Sequence, residues 1–329
     1  MELTTPLCRA LGITVPVVQA PIGSATTPEL AAAVSGAGAL GMLALTWLPP
    51  HVAAARVRRT LELTSAPFGV NVCLDFPIDA QLDAALALGV RVVSTFWGDP
   101  LAVHDRVHEA GALHLHTVRS PDEARAAVDA GVDAVVAQGW EAGGHVWGEV
   151  ATLPLTPAVV DAVAPVPVIA AGGIADGRGL AAALVLGAQA AWLGTRFVAA
   201  AEASTHEHYR ARVVAAGSAD AAYTACFDGG WADAPHRVLR NATLDAWEDA
   251  GRPVAPDRPG EGDVVATDRG GQPFHRYDDM VPLRGLSGDV EAMALYAGQS
   301  VGLVHEVAPA AEIVAAVVAQ AQRALAAFT

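Results

Sequence analysis

A chain of 329 residues is long enough for one large barrel with an insertion, or for two ordinary domains, and its formal net charge of −15 argues against a nucleic-acid partner, which requires a basic surface. Although 53% of the residues are hydrophobic, no apolar run reaches the roughly 18 to 20 residues of a membrane span. The N-terminus MELTTPLCRALGI has neither a basic n-region nor a continuous apolar h-region, so the expectation is a soluble, cytoplasmic protein with no membrane partner.

In chain order, β-branched apolar runs fall at 15–22, 40–45, 68–74, 91–96, 113–118, 134–139, 166–172 and 190–197, separated by alanine-rich segments of helical length. Thr27-Pro28, Asp99-Pro100, Ser120-Pro121 and Thr156-Pro157 each place a capping residue before a proline at the first helical position. Gly89, Gly111, Gly131 and Gly187 fall where helices should stop. Eight continuous apolar strands with helical crossovers predict an α/β protein, a (β/α)8 TIM barrel. From about 201 to 285 the rhythm breaks into turn-rich, charged segments, with HEHYRARVVAAG and VLRNATLDAWEDAG as candidate helices. Helices are expected again at 289–299 and 311–328. The division is therefore a barrel of 1–200 and 286–329, with 201–285 inserted after strand eight as a smaller α-rich lid over the mouth where barrel active sites lie.

The unusual residues gather at the strand ends that form that mouth. They are Gln19-Ala20-Pro21-Ile22, Asn71, the run from Gln138 to His145, Gly172-Gly173, and Gly194-Thr195-Arg196 within strand eight. Read alone, AQGWEAGGHVWG fits either a turn with a solvated histidine or an active-site loop, in which Gly143 and Gly144 admit a ligand and His145 moves a proton. Its place after strand six favours the second reading. AAGGIADGRGL ends a strand in two glycines and opens a helix at Asp176, and with Gly194-Thr195 it predicts a phosphate site built from backbone N–H groups and a helix N-terminus.

Several other patterns carry less. Gly36-x-Gly38-x-x-Gly41 matches a dinucleotide fingerprint in letters only, because it follows a helix and precedes a strand. Cys8, Cys73 and Cys226 lack CxxC spacing, and His104 and His108, four apart on a helix, have no third ligand, so no metal is expected. The cluster Arg56 to Arg59 reads as a solvated helix face. His116 reads equally as a cofactor contact or an ordinary barrel histidine, and Trp97, Trp140 and Trp147 as pocket walls or plain packing.

QAPIG, GVNV, AQGWEAGGH, AAGGIADGRG, LGTRF and GDVEAMALYAGQSVG resemble, in order and over nearly the whole chain, the nitronate monooxygenase family, formerly the 2-nitropropane dioxygenases. The resemblance implies one non-covalent FMN at the barrel mouth. By position, Ala20, Pro21 and Ile22 would pass beside the isoalloxazine. Asn71 and Gln138 would bond its polar edge, and Gly143 and Gly144 would give close backbone approach. Gly172, Gly173, Gly194 and Thr195 would hold the phosphate. His145 matches the family's catalytic histidine, acting either as a base toward a neutral nitroalkane or as a group that binds the nitronate oxygens. Tyr296 and Gln299 match a motif of the class I enzymes and are expected near the substrate, with Tyr296 equally open to a packing role. Ile22 departs from the methionine frequent there.

The implied reaction is oxidation of an alkyl nitronate, of the propionate-3-nitronate type, by O2 to a carbonyl compound and nitrite. An NAD(P)H:quinone oxidoreductase on the same barrel is the alternative. An enoyl-ACP reductase is disfavoured because a net charge of −15 repels an acidic carrier protein. A monomer and a homodimer both remain open.

Overall fold

Every expected barrel strand forms, most of them a residue or more shorter than the apolar run that marks them. In the computed structural model, which describes residues 2–327, the strands are β1 (Val17–Gln19), β2 (Gly41–Ala44), β3 (Phe68–Cys73), β4 (Val92–Phe96), β5 (Leu113–Val118), β6 (Ala134–Gln138), then a two-residue β7 (Gly144–His145) outside the barrel, β8 (Val168–Ala171) and β9 (Ala190–Leu193). All barrel pairs are parallel, in the order β1-β9-β8-β6-β5-β4-β3-β2, and a bridge from Val18 to Leu40 closes the ring.

Strand alternation explains the unbroken apolar runs, since both faces are covered. Val18, Met42, Val92, Leu115, Val136 and Ile169 point inward and pack together. The alternate set, including Val70, Val72 and Val93, packs outward on the helices. The barrel floor is a helix that the sequence reading missed, Pro6–Leu11, whose Leu7, Cys8 and Leu11 join the inward cluster. Thr5 caps it by accepting the Cys8 N–H, and Gln189, just before β9, accepts the Leu7 N–H. Six residues are too few for helical periodicity to show.

Thr27 and Ser120 cap their helices through side-chain oxygens as expected. The signal at Thr156-Pro157 misleads, because the helix spans Thr152–Val163 and encloses Pro157. Its start is set by Glu141, a residue of another loop, whose carboxylate accepts the Thr152 N–H at 2.8 Å. β9 stops at Leu193, so Thr195 and Arg196 belong to a one-turn helix, Thr195–Val198, and not to the strand.

The two helices expected between 201 and 285 are present, at Glu207–Ala215 and Ala242–Asp249. The segment is nevertheless mixed, with β10 (Ala221–Thr224), β11 (His236–Leu239), β12 (Val264–Thr267) and β13 (Pro273–His275). β11 lies between β10 and β7, so the chain after β9 completes a sheet with the loop that follows β6. The second small sheet pairs β12 with β13 and with β14 (Ser287–Gly288).

No α-helix forms over 289–299. The backbone there is a 3-10 turn, Val290–Ala292, followed by extended chain and a second 3-10 turn, Gln299–Leu303. Its carbonyls are claimed from outside, with Asn241 donating to Glu291 and Met293 and Thr243 to Ala292, so helical i to i+4 bonding has lost its acceptors. The last helix, Ala310–Ala326, forms as expected, and Phe328 at the end of the expected range lies outside the described residues. Among the described residues no helix is long and apolar enough to cross a membrane, and no group of side chains could hold a metal ion.

Candidate active site

The strand ends enclose a cavity of about 210 Å³. Ala20, Pro21 and Ile22 line it after β1, Asn71 and Gln138 from β3 and β6, and Gly143, Gly144 and His145 from the loop after β6. Gly172 and Gly173 line it after β8, and Gly194 and Thr195 after β9, while Tyr296 enters from the late segment. Two expected residues are elsewhere. Trp97, with its backbone at φ +62, turns onto Trp147 at 4.3 Å and Trp231 at 4.9 Å, one layer behind the wall. Gln299 opens a 3-10 turn, and its N–H donates to the Glu141 carbonyl.

The remaining candidates are structural. Trp140 stacks on Tyr223, Trp147 packs on Phe96, and His108 bonds Asp133. His116 does not line the cavity; its Nδ1 meets the Thr95 hydroxyl at 2.7 Å, and the same hydroxyl meets His114 Nε2 at 2.8 Å.

Sequence reasoning missed Trp231 and Asp279, both between β9 and the last helix, and Trp47 and Phe96 at the mouth. Trp231 lies against the His145 ring at 4.2 Å between centroids and donates its indole N–H to Asp75. Asp279 places Oδ2 3.7 Å from His145 Nε2, with only 9% of the His145 side chain and 10% of the Asp279 side chain exposed. The Tyr296 hydroxyl donates to the other oxygen, Oδ1, of Asp279.

Burial dominates the electrostatics. It holds the His145 imidazole well below its ordinary pKa, with His236 adding to the effect, so the ring is neutral at pH 7. The same desolvation pushes the Asp279 carboxyl up to about 7, against the Tyr296 hydrogen bond, which favours the charged form. Among the described residues, neither His145 Nε2 nor Gln138 Oε1, both buried, has a hydrogen-bond partner. Leaving such groups unpaired costs about 1–3 kcal/mol each, so a site that keeps them is built to be completed by a ligand.

The loop carrying His145 is fixed at both sides. Gln138 Nε2 donates to the His145 carbonyl at 3.2 Å. β7 pairs with β11, aligning His145 with His236 and Gly144 with Arg237. Gly143 has a different reason from the one its sequence suggests. A Cβ there would come 2.3 Å from the Gly298 nitrogen and 2.5 Å from the Ala297 carbonyl carbon, so two backbones cross at this point. Gly143→Ala is expected to cost about 3 kcal/mol, at the upper end of overpacking losses because backbone cannot yield as a side chain can. An unchanged unfolding midpoint would remove that explanation. Gly144, at φ +71, meets nothing within 4 Å and leaves the cavity side open.

The phosphate cradle also changes. The helix Gly177–Val185 cannot offer its N-terminus, because Asp176 accepts the Arg178 and Gly179 N–H groups and Gln320 accepts that of Gly177. What faces the cavity instead is the left-handed Gly172-Gly173 turn, at φ +96 and +69, with Gly194 and Thr195. A Cβ at Gly194 would meet only that of Ala20, at 3.6 Å. The Thr195 hydroxyl accepts the Gly298 N–H at 2.9 Å and keeps its own proton to donate. An apolar wall, an orphaned amide oxygen and a glycine cradle fit the parts of FMN, which are a flat ring, a polar edge and a phosphate.

The chain is 39% identical over 77% of its length, and 70% of the other, to the (3aS,4S,5R,7aS)-5-hydroxy-7a-methyl-1-oxo-octahydro-1H-indene-4-carboxyl-CoA dehydrogenase of Mycobacterium tuberculosis. It is 34% identical to a nitronate monooxygenase of Paraburkholderia phytofirmans, covering 94% of this chain and 93% of that one. Among solved structures, FabK from Thermotoga maritima superposes with a TM-score of 0.81 at 31% identity over 98% of both chains. A nitroalkane oxidase from Streptomyces ansochromogenes gives 0.79 at 32% identity over 96% of this chain and 98% of the other. The nitronate monooxygenase family model matches residues 4–85 and 77–320, and with the barrel and the histidine-bearing loop in place the chain is a member of the nitronate monooxygenase family of TIM-barrel oxidoreductases.

Proposed function

We propose that the protein holds one FMN in this cavity and oxidises alkyl nitronates of the propionate-3-nitronate type with O2, giving a carbonyl compound and nitrite. The observation that carries the reading is the unpartnered Gln138 Oε1 and the neutral, unpartnered His145 Nε2 at one cavity. FMN, when bound, supplies the electron acceptor. Ala20, Pro21 and Ile22 would flank its ring, and Gln138 and Asn71 its polar edge, with the Asn71 amide held by the Ser94 carbonyl and hydroxyl. The turns at Gly172-Gly173 and Gly194-Thr195 would take the phosphate. His145 orients the substrate and exchanges its proton, while Trp231 and Tyr296 exclude water. The segment 201–285 acts as the lid of a barrel made by 1–200 and 286–329, in a cytoplasmic enzyme.

A second reading, oxidation of a hydroxylated carboxyl-CoA substrate, is supported by the higher identity to the Mycobacterium protein, 39% against 34%. Anaerobic mixing of the yellow protein with propionate-3-nitronate, a hydroxylated alicyclic acyl-CoA, NADH and NADPH separates the possibilities. Bleaching by the nitronate alone is the expected result, bleaching by the acyl-CoA moves the assignment to the second reading, and fast bleaching by a nicotinamide moves it to a quinone reductase. A colourless protein that cannot be reconstituted with FMN ends all three.

A further inference from the structure

Asp279 belongs to none of the motifs by which this chain resembles its family, yet it is the carboxyl group nearest the cavity histidine. Its two oxygens have different neighbours. Oδ1 receives the Tyr296 hydroxyl proton, and Oδ2 faces His145 Nε2 across 3.7 Å. That gap is too long for a hydrogen bond in the resting site, and Nε2 has no other partner. Tyr296 is itself fixed, because the buried Tyr209 hydroxyl donates to its backbone carbonyl. Asp279 is held from behind by its own N–H, which donates to the Gly229 carbonyl.

We propose that Asp279 is a positioning residue that acts through His145, its carboxylate stabilising the imidazolium that forms when His145 takes a proton from a substrate carbon. This rests on the flavoenzyme reading above. In the step, the carbon–hydrogen bond of a neutral nitroalkane breaks, its electron pair stays on the substrate as the nitronate, and the proton moves to the imidazole. A charge then appears on a ring that burial otherwise keeps neutral, and among the described residues no arginine or histidine other than His145 lines the cavity to share or oppose it. The one anionic group placed to pair with it is Asp279.

The groups facing Asp279 are Tyr296, His145, its neighbour Asp278 and Cys73, with His236 behind His145 and Asp75 beside Cys73. At neutral pH Cys73, pushed up to about 12, and His236, pulled down to about 4, are both uncharged. Asp279, poised at about 7, is therefore the group in this cavity that changes charge near neutrality. Its raised pKa means that the protonated form predominates below 7 and the carboxylate above it. A base assisted by the carboxylate becomes more active as pH rises through that value. A histidine that only clamps a preformed anion becomes less active, because the new carboxylate repels the substrate. The direction of the limb thus tells the two roles of His145 apart.

The test follows kcat/KM for nitroethane between pH 5.5 and 8.5, a range of about 1.5 units on each side of the midpoint, in the FMN-loaded enzyme. The wild type is expected to rise through a limb near 7, and Asp279→Asn to lose the limb and about tenfold of its activity at high pH, as an opposite charge at this range favours a cation by 1–3 pKa units. Tyr296→Phe should move the limb upward, since its hydroxyl favours the carboxylate form. In the protein without flavin, an infrared carboxylic-acid band should disappear over the same pH interval and be missing from Asp279→Asn. A limb that survives Asp279→Asn, or one that falls with pH, overturns the proposal and leaves the flavoenzyme reading intact. Oxidation of propionate-3-nitronate without any of nitroethane does the same. Failure to oxidise either compound, with FMN bound, defeats the reading on which the proposal rests.

Discussion

Replacing His145 by asparagine is expected to leave a folded, yellow protein that has lost roughly 10²- to 10⁴-fold of its turnover, or about 3–5 kcal/mol of transition-state stabilisation, the usual contribution of a positioned acid–base group. The proposed flavin contacts come from β1, β3, β6, β8 and β9, and Gln138 of β6 bonds the backbone carbonyl of His145 and not its ring, so retention of the cofactor should be nearly unaffected. Asparagine also keeps a polar, planar group against Trp231 and leaves the β7–β11 pairing, which is made by backbone, in place. What it removes is a nitrogen whose proton affinity has been lowered by burial. Steady-state rates with propionate-3-nitronate and nitroethane, normalised to bound flavin, check the point. Turnover at the wild-type rate with both would sink the role given to this residue.

The largest loss of stability is expected at Arg237. The residue is 2% exposed, and its guanidinium donates to the carbonyls of Trp140 at 2.7 Å, Ala142 at 3.2 Å and Ala221 at 3.4 Å. It also stands over the rings of Trp140 and Tyr223, at 5.0 and 5.6 Å. Three carbonyls on two separate segments, two of the bonds fully buried, thus depend on one cation. Arg237→Met fills most of the volume but leaves those acceptors dry and unpaired, and a cost of about 3–5 kcal/mol is expected, as when one member of a buried polar cluster is deleted. Arg237 is also paired with Gly144 across β7 and β11, so the variant should lose activity beyond its loss of folded protein. Urea midpoints and flavin-normalised rates measure the two effects separately. A midpoint within about 1 kcal/mol of wild type would show that water replaces the guanidinium at no great cost.

The barrel was legible because a parallel strand covered on both faces is almost wholly apolar, as Val168–Ala171 and Ala190–Leu193 are. Local caps were legible where the capping atom is a near neighbour in the chain, as at Thr27 and Ser120. They were not where it comes from elsewhere, as when Glu141 starts the helix that encloses Pro157. The same distinction explains the extended chain at 289–299, whose apolar spacing suits a helix but whose carbonyls are bonded by Asn241 and Thr243. At the site, strand-end residues such as Gln138 and Gly172 could be placed by counting strands. Trp231 and Asp279 could not, because they sit in turn-rich chain that carries no period. Gly143 was visible as an unusual glycine, but its crossing partner Gly298 is remote in sequence and only the fold brings the two backbones together.

One consequence of the shared sheet concerns inheritance. Gly144 and His145 belong to the barrel loop by sequence but to the chain after β9 by hydrogen bonding, through His236 and Arg237. Residues 201–285 are therefore not a cassette that can be exchanged for a relative's version by itself. A transplanted segment would have to bring its own matching strand edge and its own buried arginine. Without them a chimera would keep the barrel and lose the register that aims the imidazole. On the role proposed for His145, selectivity and proton chemistry would have to change together.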